Sequence, residues 1–342
     1  MPAAISVSLF LPGNCCAVPG FYASSCFGSP IMNATESATA SGGDASPFYG
    51  YTPTRSVCVL FVILYLASTL LHSWQAIRSR AMWLLPTVGL AGLLEFLGWI
   101  ARTKGSFDPA SKMSFIIQSS VLVLAPTPFV GALFIAFGRA TRYTGSEYSR
   151  LKPRLYSRIF LTCDIISLFI QGGGGGISAT SMEDPSKARL GSNIIIVGLV
   201  FQLISITIFC YLAGEYAYRR SRNEPFRTPD AELSWRASYS AVVGPMKKLM
   251  IALWVCTALI YIRSIYRLIE FVDGFSGTIA HTQVLFNVFD GLMVTLAMLT
   301  LNAVHPGMLL READVAGTRY ATGMTDRHGR RYGDASTKPL SP

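Results

Sequence analysis

The sequence predicts an all-α polytopic membrane protein, a seven-transmembrane-helix bundle, on three observations. Of 342 residues, 51% are hydrophobic and only 14% charged, a balance too apolar for an ordinary water-soluble domain. Seven apolar segments, at 56–77, 81–101, 113–137, 159–177, 191–214, 249–271 and 283–304, approach or exceed the roughly 20 residues a helix needs to cross a bilayer. Lys and Arg crowd into alternate connections: the segments 78–80, 139–158, 219–248 and the tail from 311 hold 21 of the 29. The positive-inside rule then places the N-terminus outside and the C-terminus in the cytoplasm. The net charge of +10 is therefore read as a topology signal, and no nucleic-acid partner is expected.

Three regions follow: an extracellular stretch 1–55, the membrane domain 56–304 and a cytoplasmic tail 305–342. The first is rich in Gly, Ser, Ala and Pro without amphipathic period, so poor order is expected there. It lacks the basic start and long apolar run of a cleaved signal peptide, and the first span itself can direct insertion. Its sequon Asn33-Ala34-Thr35 makes Asn33 a glycosylation candidate. Cys15, Cys16 and Cys26 share this region, where an oxidising compartment allows one pair and leaves one thiol over. Cys58, Cys163, Cys210 and Cys256 are solitary within spans and read as packing residues, and no C-x-x-C supports a metal site.

Span one carries His72, read as an interfacial histidine or a proton-handling one. In span two, Glu95, Gly98 and Arg102 are spaced by three and four and form one stripe, with Gly98 admitting a close neighbour. Span three has Gln118 and then Ala125-Pro126-Thr127-Pro128. Each proline lacks an N–H and frees the carbonyl four residues back, at Leu122 and Leu124, so a kink or hinge is expected.

Span four places Asp164, Ser167 and Gln171 on one face and then runs into Gly172–Gly176. Five glycines disfavour a helix, so an unwound terminus with exposed backbone at Gly172, Gly173 and Gly174 is expected. Span five carries Gly198 and Gln202 and leads into a basic loop containing Arg219, Arg220 and Arg222, a topology determinant that can also contact anionic lipid. Span six holds Arg263, Arg267 and Glu270, again at helical spacing. An arginine in mid-bilayer costs about 2.5–3.5 kcal/mol on insertion scales, so this face must look into protein or water. Span seven carries Asp290 and Asn302 and stops at His305-Pro306-Gly307.

The buried polar layer thus sets four acids, Glu95, Asp164, Glu270 and Asp290, against two membrane arginines. An acid lacking an arginine would be protonated, hydrogen-bonded to Gln or paired with Arg102, and all four are candidates for carrying a coupling proton. Arg263, Arg267, Glu270, Glu95, Gln118, Gln171, Gln202 and Asp290 are the candidate lining of a substrate pocket. A static network that fixes helix register is the alternative.

The motifs Tyr51-x-Pro53, Glu95-x-x-Gly98-Trp99-x-x-Arg102, Ala125-Pro126, Asp164-x-x-Ser167-x-x-x-Gln171-Gly172-Gly173-Gly174, Gly198-Leu199-x-x-Gln202, Arg263-Ser264-x-Tyr266-Arg267-x-x-Glu270, Asp290 and His305-Pro306-Gly307 appear in order. Together they resemble the fungal lipid-translocating exporter family, of the RTA-like, aminocholesterol-resistance type. Trp99 and Phe134 stand where the resemblance leads one to expect Tyr, and Gln283 and Asn287 where Glu and Tyr are expected. The resemblance implies seven spans, a fungal membrane, the plasma membrane before an internal one, and movement of sphingoid bases or related lipids, or efflux of and resistance to sterol-like or other toxic amphiphiles. Partners would then be membrane lipids and an amphipathic small molecule.

No phosphate-binding G-x-x-x-x-G-K-[ST] loop is present, so nucleotide-independent transport is the first functional expectation, with no cofactor. A seven-helix receptor or sensor of lipid stress is the alternative. It lacks the Glu/Asp-Arg-Tyr of common receptors after span three and has Asn302-x-x-x-Pro306 in place of Asn-Pro-x-x-Tyr. An enzyme is not expected: four histidines and no Ser/His or metal-ligand constellation offer no catalytic set.

Overall fold

The computed structural model describes residues 49–181, 184–227, 240–274 and 277–316. Asn33, Cys15, Cys16, Cys26 and the outer stretch before Tyr49 lie outside the described residues, as does the tail beyond Ala316. Seven helices are long and apolar enough to cross a membrane. They are α1 (Arg55–Arg78), α2 (Met82–Phe107), α3 (Lys112–Thr144), α4 (Pro153–Thr180), α5 (Pro185–Arg222), α6 (Ser240–Asp273) and α7 (Gln283–Ala316).

Each helix packs on the next in sequence, α7 returns to α1, and α3 runs through the middle against α2, α4 and α6. Accordingly α3 is the most deeply buried of the seven. The outward faces are apolar: Ile63 and Leu70 on α1, Phe169 on α4 and Val197 on α5 are all more than half exposed. So much contiguous apolar surface suits hydrocarbon, not water. The helices run past several of the apolar segments, because a backbone can stay helical where its side chains become polar; α5, for instance, continues from the apolar 191–214 to Arg222, where Asn223 caps it at φ +57°.

One end of the bundle gathers the basic connections. There Arg311 Nη1 donates to the Arg78 carbonyl, Arg150 pairs with Glu215, and Tyr143 Oη bonds Asp314. We call this the basic end, and the opposite one, where Tyr51 precedes α1, the Tyr51 end.

Three local features shape the interior. The α3 ladder is interrupted at Ala125, just before Pro126, yet Ala125 keeps helical dihedrals (φ −56°, ψ −42°), so the interruption is one of hydrogen bonding. In α7 a π-helical turn, Phe286–Leu292, carries Asp290 and Gly291. The third feature corrects the expectation for Gly172, Gly173 and Gly174: α4 stays helical through all five glycines to Thr180. The propensity penalty of glycine is a balance struck against water, and in an apolar environment the intrahelical bonds have no competitor. Gly174 also seats α4 on α5, where an added Cβ would lie 2.7 Å from the Gly191 carbonyl oxygen.

Candidate functional site

The site begins with the proline. Pro126 cannot donate to the Leu122 carbonyl, and Arg263 Nη2 does so instead, at 2.5 Å. Leu122 is brought there by Gly98 of α2, where any Cβ would collide with its side chain. Thus α2, α3 and α6 meet at one backbone oxygen, and one of the two membrane arginines is satisfied by main chain.

The other is satisfied by acid. Arg267 Nε and Nη2 donate to Asp290 Oδ1 and Oδ2 at 2.7 and 2.6 Å, a bidentate pair, while Nη1 donates to Glu270 Oε2 at 3.0 Å. Arg263 Nε lies 2.9 Å from Asp290 Oδ1 without the alignment of a hydrogen bond. Asp290 is therefore shared by both arginines, and its side chain is fully buried. The π turn that presents it leaves the Gly291 carbonyl to Tyr65 Oη and Thr295 Oγ1, both at 2.8 Å.

Arg102 takes no carboxylate, contrary to one of the three sequence alternatives. Its Nη2 donates to Tyr51 Oη at 2.8 Å, and its guanidinium lies 4.1 Å from the centre of the Phe286 ring. Arg267 lies over the same ring at 4.9 Å. Phe286, Tyr65 and the Phe61–Trp99 stack (4.2 Å) form the aromatic wall of this layer. Phe286 and Tyr65 were not singled out from sequence; the signal for Phe286 was its place four residues before Asp290, on the same helical face.

Of the remaining predicted residues, Glu95 is fully buried within electrostatic reach of Asp290, Arg263 and Arg267, yet neither of its oxygens has a hydrogen-bond partner. Gln118 is buried with its Oε1 unpaired. Gln171 and Gln202 belong to a separate chain across α4, α5 and α3: Gln171 Nε2 donates to Ser167 Oγ and Gln202 Oε1, and Gln202 Nε2 to Thr127 Oγ1. Asp164 joins neither group; it is buried with both oxygens unpaired and has no ion-pair partner among the described residues. No glutamine bonds any of the four acids among the described residues.

A second polar cluster lies toward the basic end. His72, fully buried, shares a 2.9 Å bond between its Nδ1 and Asn302 Oδ1, and its ring is 4.8 Å from that of His305. The His72 ring is thus held by one bond, with Nε2 unpaired. Cys58, Cys163, Cys210 and Cys256 are free thiols, and no cluster of three or more His, Cys, Asp or Glu that could hold a metal occurs among the described residues.

Two cavities adjoin the arginine layer. The first, about 40 Å³, has the polar side chains of Arg102, Gln118, Arg267 and Glu270 in a wall shared with Tyr49, Tyr51 and Phe286. Burial pushes the Tyr49 phenol up to about 12, so it is a neutral cover at neutral pH. The second, about 240 Å³, is apolar and lies among α3, α4, α5 and α6, with Gly172, Gly175 and Gly176 on one wall. Phe115, Ser119 and Phe271 line both, so the two are neighbours on either side of these residues.

Residues 88–313 match the family model described as RTA1 like protein, two thirds of the chain and every charged residue of the arginine layer. The chain belongs to the RTA1-like family. Among curated relatives of this family, it is 26% identical over 310 residues to the sphingoid long-chain base transporter RSB1 of Saccharomyces cerevisiae, covering 84% of this chain and 80% of that one. It is 28% identical over 288 residues to Protein RTA1 of the same yeast (77% and 86% covered) and 25% identical over 297 residues to Protein RTM1 (75% and 91%). No solved structure matches.

Proposed function

We propose that this RTA1-like chain moves amphipathic, amine-bearing lipid-like molecules between the leaflets of a fungal plasma membrane, without nucleotide and without catalysis. The observation that carries the reading is that a small pocket with charged walls neighbours a larger apolar cavity: a head group and a hydrocarbon chain each have a place, on either side of Phe115, Ser119 and Phe271. Glu270 is the acid that meets an ammonium, since Asp290 is occupied by two arginines and Glu270 gives only one oxygen to Arg267. Gln118 Oε1 and Arg102 Nε, both unpaired, offer an acceptor and a donor to head-group hydroxyls. The relative RSB1, a sphingoid long-chain base transporter, supports the same ligand class. By the positive-inside rule the basic end faces the cytoplasm and the charged pocket opens outward.

Glu95 and Asp164, the two acids held by neither an arginine nor a hydrogen bond, are the candidates to carry a coupling proton. The test is movement of a fluorescent sphingoid base between leaflets of liposomes containing the full chain. Movement at least tenfold slower in a folded Glu270→Gln variant is expected. Absence of movement with wild-type protein overturns transport, and retained binding in that case favours a sensor. Unchanged pH dependence after both Glu95→Gln and Asp164→Asn removes them from the coupling.

A further inference from the structure

At the basic end, a pocket of about 1180 Å³ lies where the α3–α4 connection meets the foot of α4. Six cations and one acid line it. Two of the cations are tied down: Arg150 pairs with Glu215 at 2.6 Å, and Arg227 Nη2 donates to the Arg150 carbonyl at 2.6 Å. The acid, Glu147, ties the connection after α5 to the pocket's edge through its main chain, whose carbonyl accepts from the N–H groups of Phe226 and Arg227. The other four cations, Arg142, Lys152, Arg154 and Arg158, are exposed and have no carboxylate partner among the described residues.

Like charges so gathered repel, and the fold adds to the repulsion. Three of the four sit in or beside the first turns of α4, where the helix end is itself electropositive and its first turn holds no acid. An anion with several negative oxygens relieves this. Directly above, on the same helix, Leu155, Ile159, Ile166 and Phe169 form an exposed apolar stripe at spacings of four, seven and three, the surface along which lipid chains lie.

We propose that this pocket binds the phosphorylated head group of a membrane lipid, with its acyl chains along the α4 stripe. Basic pockets beside membrane helices are suited to multiply charged head groups, each nearby Lys or Arg being worth about fivefold in affinity. The site is on the opposite end from the charged pocket of the transport reading and stands without it.

The experiment is a titration of the detergent-solubilised full chain with dioctanoyl phosphatidylinositol 4,5-bisphosphate, with dioctanoyl phosphatidylcholine and soluble inositol trisphosphate as comparisons. The bisphosphate lipid is expected to bind and phosphatidylcholine not. Arg154→Gln with Arg158→Gln weakens the lipid about 25-fold, whereas Arg220→Gln with Arg222→Gln, on the same end but outside the pocket, leaves it within about twofold. Ile159→Ser weakens the lipid but not the soluble trisphosphate. Equal loss from both arginine pairs, or no loss from the first, overturns the site. Soluble trisphosphate binding as tightly as the lipid overturns the membrane source and leaves a free polyphosphate as ligand.

Discussion

Replacing glycines of the 172–176 run by leucine separates packing from ligand volume within a single helical turn. Gly172 and Gly176 line the apolar cavity and have open space where a Cβ would go. Leucine there meets no atom at its Cβ, and the helix, already complete through these glycines, has no packing to lose by it. Its side chain of about four carbons fills cavity that a ligand chain would otherwise occupy. At about 0.8 kcal/mol per buried methylene, the displaced chain loses roughly 3 kcal/mol, or about a hundredfold in affinity. Gly174, two residues away from each, is the contrast: its Cβ would meet the α5 backbone, at 2.7 Å from the Gly191 oxygen and 2.8 Å from the Ile195 nitrogen. Gly174→Leu should therefore lower thermal stability of the purified protein. Gly172→Leu and Gly176→Leu should leave the unfolding temperature equal or higher while weakening a fluorescent sphingoid base about a hundredfold. Unchanged ligand affinity in stable Gly172→Leu and Gly176→Leu proteins would refute the assignment of the chain to this cavity.

Asp290→Asn leaves Arg263 without a carboxylate partner among the described residues and Arg267 with Glu270 alone, and a loss of about 3–5 kcal/mol is expected in a reversible unfolding assay. Glu95→Gln, by contrast, breaks no hydrogen bond and should cost under about 1 kcal/mol in the same assay. Gly291→Ala drives a methyl into the Trp99 and Phe61 rings and should cost about 1–3 kcal/mol, visible as a lowered midpoint of thermal unfolding. Pro126→Ala returns an N–H to the Leu122 carbonyl in competition with Arg263 Nη2; a double-mutant cycle with Arg263→Gln should give a coupling of at least about 0.5 kcal/mol, and additivity would deny the shared oxygen.

The seven helices were legible because a bilayer-length apolar run is a strong signal, and the 263, 267, 270 spacing already put two arginines and an acid on one face. The freed Leu122 carbonyl was equally readable from Pro126, although not its partner: that depends on which helix stands opposite, a tertiary fact. Arg102 shows the same limit, since its partners Tyr51 and Phe286 are 51 residues before it and 184 after it in the chain. The glycine run misled because propensity carries the competition of water into an environment that has none. The α7 π turn had no local signature at all, yet it aims Asp290 at both arginines.

The Phe286 ring sets a rule of admission at the mouth of the bundle. Two guanidinium groups already lie over it, so a trimethylated nitrogen seeking an aromatic cage at this ring would meet two like charges. A choline-type head group, with no N–H to give Glu270, would find neither cage nor hydrogen-bond partner here. A primary amine finds the second. Discrimination between free long-chain amines and the abundant choline lipids around them would then come from a ring in the pocket wall that is occupied in advance.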